Sequence, residues 1–337
     1  MPSNRKRPGI LVPARFIPTP STISPEAQAC LSNLPPIAAA SEPDTEDTAA
    51  WRAHIDARNL EVTSLMSANA GSHPSEVIAH DLSRSRLYDV EPASLSSRHE
   101  KHAILYIHGG AFIYGGGYAA ALSAMSIASL TQCRTFSVDY RMPPDHPFPA
   151  GLDDAVEAYQ TLLARYPPTS IAVYGPSAGA GLAAACLLKA RDIGLPMPAA
   201  CVLHSPQADL TESGDTFETN DKLDMLLRRM PRVVALYAGG HDLRDPYLSP
   251  IYADFTKGFP PTLLSSGTRD LFLSNTVLLH RALRHAGIEA ELHVFEAMSH
   301  GGFFGKAPED RELLGEQVRF IDEHLREIRS SPSAGHR

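Results

Sequence analysis

Ile171-Ala172-Val173-Tyr174-Gly175-Pro176-Ser177-Ala178-Gly179-Ala180 is the stretch whose reading decides the fold. An apolar, β-branched run enters the pentapeptide G-x-S-x-G at 175–179, and small residues from Gly181 towards Leu188 leave it. That order reads as strand, sharp turn, helix, with Ser177 on the turn and at the N-terminus of the helix behind it. Flanking glycines permit close backbone approach, and a helix N-terminus favours a developing negative charge. At ordinary Gly and Ser frequencies, a chance G-x-S-x-G has odds of roughly one in ten in a chain this long. The serine therefore gains meaning only if a base, an acid and an oxyanion site stand in the right order elsewhere.

They do. Upstream, the apolar run AILYI (103–107) ends in His108-Gly109-Gly110-Ala111-Phe112, and a glycine pair leaving a strand can turn backbone N–H groups inward. Downstream, SSGTRD (265–270) places Asp270 just beyond a strand, where catalytic groups gather in open α/β sheets. The following strand runs into EAMSHGGFF, giving His300 before a second glycine pair. Ser177, Asp270, His300 is the chain order of an α/β-hydrolase triad. Taken singly, Asp270 reads as a helix N-cap and His300 as one of fifteen histidines; only together do they resist a bland explanation.

The rest of the chain supplies the sheet these positions need. Strand-like runs recur at 103–107, 134–140, 170–174, 199–204, 261–266 and 291–296, with helical patterns between them, among them 152–166 and 276–286. Two short strands are expected within 76–91. Strands apolar on both faces and alternating with helices imply a mostly parallel central sheet flanked by helices, an α/β fold. Residues 1–75 read as an N-terminal arm, with a short helix near 25–34, followed by a longer amphipathic helix. That helix starts at Asp47 or Thr48, repeats Trp51, Ile55, Val62 and Leu65 or Met66, and stops at Gly71. Its apolar face either packs on the main domain or forms a lid. Residues 76–206 and 249–326 form the two parts of the core and 327–337 a tail. The insertion at 207–248 is too long for a simple crossover and reads as the second part of a helical cap.

Composition narrows the function class. Lys plus Arg is 30 against 38 for Asp plus Glu, a net charge of −8, and no basic stripe favours nucleic acid or an anionic membrane surface. No apolar run of 18 residues suggests a membrane span. The basic N-terminus is interrupted by Pro13 and Pro18 before a signal-peptide core can form. The four cysteines (Cys30, Cys133, Cys186, Cys201) lack C-x-x-C pairing and read as free thiols, consistent with a cytoplasmic protein. No Walker, Rossmann or zinc-protease pattern calls for a cofactor. His241, Asp242 and Asp245 read as partners in salt bridges with Arg244, not as a metal site, and Asp145-His146 as a brace for a proline-rich turn.

The assembled motifs resemble those of the hormone-sensitive-lipase-like family of α/β-hydrolase esterases. The matching pieces are YIHGGAF (106–112), VDYRMPPDHPFPAGLDD (138–154), YGPSAGAGLA (174–183), SPQADLTESGD (205–215), DPYLSP (245–250), GTRDLFLS (267–274) and FEAMSHGGF (295–303). Within that family the pattern is nearest to bacterial short-chain esterases, including monoterpene ε-lactone hydrolases. The resemblance implies Ser177 as nucleophile, His300 as base and then acid, and Asp270 as the group orienting the imidazole. It implies an oxyanion hole of the Gly110, Ala111 and Ala178 N–H groups, with Gly109 shaping the loop, and it allows a homodimer. Three positions depart from the family pattern. Ala111 replaces a third glycine and adds a methyl expected on the acyl side. Pro176 replaces an acidic residue, and Ala180 a glycine. Phe112, Tyr114, Phe217 and Leu226 are the candidate substrate-binding side chains, suited to a small hydrophobic ester. An amide or lactone hydrolase on the same triad is the nearest rival, and a non-catalytic receptor on the same scaffold is a more distant one.

Overall fold

The structure, a computed structural model, describes residues 9–33 and 42–325. Eight strands form one sheet: β1 (Ser75–Asp81), β2 (Arg86–Pro92), β3 (Ala103–Ile107), β4 (Thr135–Asp139), β5 (Ile171–Pro176), β6 (Ala200–His204), β7 (Thr262–Gly267) and β8 (Ala290–Phe295). Their spatial order is β1-β2-β4-β3-β5-β6-β7-β8. Strand β2 runs antiparallel to β1 and β4, and all pairs from β4 through β8 are parallel.

Helices alternate with the strands as the periodicity requires. They are α1 (Pro25–Asn33), α2 (Thr48–Ala70), α3 (Tyr118–Thr131), α4 (Ala150–Leu163), α5 (Ala178–Asp192), the single turn α6 (Thr216–Thr219), α7 (Pro231–Ala238), α8 (Leu273–His285) and α9 (Pro308–His324). The alternation of strand side chains divides the core between two faces. Leu105, Ile107, Val173 and Leu203 join one cluster with residues of α4, α5 and α8. Ile104, Tyr106, Tyr174 and Val202 join another with residues of α3 and α9. Apolar surface on both sides of β3, β5 and β6 is why these strands read as continuous hydrophobic runs.

The chain passes from β3 outward to β4 and then returns to β5 on the other side of β3. The loops leaving β3 and β5 therefore diverge, and a crevice opens at the carboxyl ends of the two strands, the preferred ligand position in such sheets. The expected strands all form, within a residue or two of their expected limits.

The segments outside the sheet settle around that crevice. Asp47 caps α2 by accepting from the Ala50 N–H at 2.9 Å. Trp51 and Ile55 are buried with Ala111, Ile113 and Val233, which joins α2 to the loop after β3 and to α7 of the insertion. Of the repeating positions on that helix, the Leu65 side chain lies outside the described residues. Helix α1 packs on α9, with Ile23 and Ala27 against Met298, Phe303 and Leu313; Leu34 and the tail from 326 lie outside the described residues. Cys133, Cys186 and Cys201 are buried and Cys30 is half-buried, all as free thiols. Among the described residues, no helix is long and apolar enough to cross a membrane.

Candidate active site

Strand β5 delivers Ser177 in a conformation that ordinary turns avoid. Its backbone sits at φ 57°, ψ −126°, a strained combination for a residue with a side chain. The surrounding hydrogen bonds hold it there. The Ser177 N–H donates to the His204 carbonyl at 2.8 Å, and the Ser177 carbonyl accepts from Ala180, Gly181 and Gln207. Small residues make the turn possible. A Cβ on Gly179 would lie 2.0 Å from the Ile107 carbonyl oxygen, so only glycine lets α5 start this close to the end of β3.

Across the crevice, the loop after β3 bends through consecutive positive φ angles at Gly110 (116°), Ala111 (53°) and Phe112 (64°). A Cβ on Gly110 would meet the Tyr114 carbonyl at 2.2 Å. The loop also lies against the elbow: a Cβ on Gly109 would sit 3.4 Å from Ser177 Cβ. Among the described residues, the backbone N–H groups of Gly110, Ala111 and Ala178 donate to no protein acceptor. Three free donors beside a serine are what an oxyanion site requires.

His300 and Asp270 come from the loops after β8 and β7. His300 Nε2 lies 2.8 Å from Ser177 Oγ, and its Nδ1 lies 3.2 Å from Asp270 Oδ1. Asp270 is fully buried, and His300 is 5% exposed. Two further donors fix the carboxylate: Ser266 Oγ donates to Oδ2 at 2.6 Å and the Phe272 N–H to Oδ1 at 2.9 Å.

The electrostatics follow from this arrangement. Burial disfavours the Asp270 charge, but the facing His300 and the serine hydroxyls overcome it and hold the carboxyl well below its usual range. Burial likewise disfavours the imidazolium of His300. The charge and hydrogen bond of Asp270, with the charge of Asp224, outweigh that penalty and leave His300 above its ordinary value. A second histidine, His204, is driven down to about 4 by burial and by the neighbouring His300, so it is neutral at pH 7. His204 Nδ1 lies 3.0 Å from Ser265 Oγ.

The four expected substrate-binding side chains separate. Leu226 stands beside the His300 loop, 40% exposed, with its Cδ2 3.1 Å from where a Gly301 Cβ would be. Tyr114 is half-buried, and its hydroxyl lies 3.0 Å from His54 Nε2 of α2. Phe112 instead turns into the main core, at φ 64° and stacked on Tyr237 with centroids 4.0 Å apart. Phe217 is also buried; it packs on Phe272, whose ring meets His300 edge-on at 5.1 Å. Both phenylalanines support the site from behind.

Other expectations are corrected in the same way. The Ala111 methyl, expected on the acyl side, packs with Trp51 and Ile55 of α2. Asp145 pairs with Arg52 of α2 at 2.5 Å and does not brace its own turn alone. Asp242 and Asp245 accept from the backbone N–H groups of Arg244 and Tyr247, since tight turns satisfy carboxylates more readily than a flexible guanidinium does. The residues the sequence did not single out are Asn220 and Asp224. Asn220 Nδ2 donates to the Asp270 carbonyl at 2.8 Å, and Asp224 is almost fully buried beside both loops. Their only local signal is a polar residue ahead of a short apolar run.

Known proteins bear on this geometry. The alpha/beta hydrolase fold family matches residues 104–304, a span that contains the elbow, the loop after β3, Asp270 and His300. An acetyl-hydrolase of Streptomyces hygroscopicus is 35% identical over 207 residues, covering 60% of this chain and 69% of its own. An esterase of Acinetobacter venetianus is 32% identical, over 64% of this chain and 73% of its own. Among solved structures, one esterase superposes with a TM-score of 0.88 at 34% identity, covering 94% of this chain and 99% of the other. An esterase of the bacterial hormone-sensitive lipase family superposes with a TM-score of 0.73 at 30% identity, over 90% and 99% of the two chains. With its sheet order, its strained serine and this breadth of likeness, the chain belongs to the alpha/beta hydrolase fold family, among the esterases of the bacterial hormone-sensitive lipase group.

Proposed function

We propose that the protein is a serine carboxylesterase that hydrolyses short-chain acyl esters through an acyl-enzyme. The observation that carries this reading is the unbroken path from Ser177 Oγ to His300 Nε2 at 2.8 Å and from His300 Nδ1 to Asp270 at 3.2 Å. His300 takes the Ser177 proton as Oγ attacks the ester carbonyl carbon. The oxyanion is held by the Gly110, Ala111 and Ala178 N–H groups. His300, now cationic and stabilised by Asp270, gives its proton to the departing alkoxide as the C–O bond breaks. Water then repeats the sequence on the acyl-enzyme and releases the acid. The raised pKa of His300 suits the second half of each step, in which the imidazolium must persist until the leaving group accepts the proton.

Support for a short acyl group comes from the packing on the loops that flank the serine. The bulky apolar side chains of α2 and the insertion are packed against the core loops, as Trp51, Ile55, Phe217 and Val233 show. The names of the relatives, acetyl-hydrolase and esterase, agree with small esters. The test is hydrolysis of p-nitrophenyl esters from acetate to palmitate, with wild type beside Ser177→Ala. The expected result is turnover that peaks at short chains and falls about 10⁴–10⁶-fold in the variant. Turnover that survives in Ser177→Ala rejects the nucleophile. Activity confined to lactones or amides, with esters untouched, replaces the substrate class while keeping the triad.

A further inference from the structure

Asp224 lies in the insertion between β6 and β7, yet its carboxylate ends among the backbone of the two loops that carry Asp270 and His300. Oδ2 accepts from the Leu271 N–H at 2.8 Å and from the His300 N–H at 3.2 Å. Oδ1 accepts from the Leu226 and Leu227 N–H groups of its own segment, at 2.7 and 3.0 Å. The side chain is 1% exposed. Burial and the nearby Asp270 push the Asp224 carboxyl above its usual range, against the pull of His300 and the backbone donors; four donors converging on its two oxygens are the bonding pattern of an ionised carboxylate and not of an acid with a proton to donate.

Leu271 follows Asp270 directly, so one carboxylate grips the chain at His300 itself and at the residue next to its acidic partner. Neighbouring bonds reinforce the grip. Asn220 Nδ2 donates to the carbonyls of Asp270 and Thr268 at 2.8 and 3.1 Å. Thr216 Oγ1 donates to the Leu271 carbonyl at 2.8 Å, and the Met225 N–H donates to Ser299 Oγ at 3.3 Å. The insertion thus touches the acid loop and the base loop through one continuous segment, 216–227. Beyond the strand ends at Gly267 and Phe295 the two loops bond directly, through the Arg269 N–H to the Met298 carbonyl at 3.0 Å and the Ala297 N–H to Thr268 Oγ1 at 2.7 Å, and this segment adds a second tie closer to Asp270 and His300.

We propose that Asp224 is a positioning residue for the reaction: by gripping the His300 and Leu271 backbone N–H groups at once, it holds the Asp270 and His300 loops in register. The proposal rests on the serine-esterase reading of the site. A small displacement of a catalytic group is enough to matter, since misplacement by about 1 Å can cost roughly 10²-fold in rate. The insertion then does more than cover the serine. It completes the geometry of the base, so a change in the cover is felt as a change in chemistry.

The test is Asp224→Asn, which keeps the shape but turns one oxygen into an amide N–H₂ that cannot accept from backbone donors. The expected result is a kcat lowered about 10–100-fold on a short ester, with KM nearly unchanged and Ser177 still in place. The His300 titration, followed by NMR of its ring protons, is expected to move to lower pH, because a negative charge that favours the imidazolium has been removed. The charged and titratable groups facing that ring are Asp270, Asp224 and the neutral His204, and Arg228 binds the Asp224 carbonyl without reaching the ring. Wild-type kcat with an unmoved His300 titration overturns the proposal, and so does a lower Tm with both unchanged, which marks a purely structural residue. Should the variant not fold, amide exchange in wild type decides: slow exchange at Leu271 and His300 supports the grip, and fast exchange at either removes it. If turnover in wild type proves independent of Ser177, the esterase reading falls, while the NMR titration still decides the role of Asp224 at His300.

Discussion

Helices α5 and α2 both stand against the loop that leaves β3, and opposite means hold them there. Helix α5 approaches backbone to backbone: Gly179 has no side chain because the Ile107 and His108 carbonyls occupy the space. Helix α2 approaches through long side chains. Trp51 and Ile55 bury themselves against Ala111 and Ile113, His54 meets the Tyr114 hydroxyl, and Asn59 Oδ1 accepts from the Gly115 N–H at 2.9 Å. The first contact spans some seventy positions of sequence, yet it rests on the missing side chain of one residue, Gly179, and leaves no freedom. The second spans some sixty positions of sequence and depends on where the N-terminal segment docks. One helix begins at the serine proposed as nucleophile, and the other packs on the loop opposite it.

The comparison can be broken at several points. The strongest blow falls on the core side: Asp270→Asn is expected to lower kcat about 10⁴-fold, by leaving His300 in the wrong tautomer with no charge to stabilise it. Single-turnover kinetics on a short ester would read this directly, and a loss under tenfold would remove Asp270 from its role. Gly110→Ala comes next. A methyl that must clear the Tyr114 carbonyl displaces the donors, with an expected loss of about 10²–10³-fold in kcat. A normal rate there would mean that the oxyanion is held elsewhere.

On the α2 side the effects should be on stability before chemistry. Trp51→Ala empties a fully buried site and is expected to cost about 3–5 kcal/mol in unfolding free energy, seen in denaturant titration. If kcat falls by as much as in Gly110→Ala while stability holds, the helix is a catalytic element and the contrast fails. The solvent-exposed pair of Arg52 with Asp145 marks the weak end. Arg52→Ala should leave both Tm and kcat unchanged within error, and a clear drop in either would show that the docking of α2 hangs on that one ion pair.

The pH profile sharpens the same division. The proposed mechanism needs neutral His300, whose pKa is raised by Asp270 and Asp224 against the opposing effect of burial. The kcat/KM of wild type should therefore rise with pH through a value above the ordinary 6.5 of histidine. Asp270→Asn should shift what activity remains to lower pH. A wild-type acid limb below 6.5 would show that burial, not the carboxylates, governs the imidazole.

The strands and the meeting of Ser177, His300 and Asp270 were legible because each rests on a local rule. β-Branched runs such as 171–174 can be buried on two faces only as strands between neighbours, and a serine between glycines after such a run has one common structural use. Phe112 and Phe217 were misplaced for a physical reason: an aromatic residue beside a catalytic loop has the same local sequence whether it faces substrate or core. Only the φ of 64° at Phe112 and the stacking on Tyr237 decide which. Asp224 and Asn220 carried little signal because their bonds into the site go to backbone groups of loops more than forty residues away, and backbone groups have no sequence identity.

The sequence by itself determined the sheet, the elbow and the order of the three polar residues, since hydrophobic periodicity and glycine placement act over a few residues. The tertiary structure alone decided how the N-terminal helix and the insertion close on the loops, because that depends on burial and on hydrogen bonds between segments that the chain brings together only once it has folded.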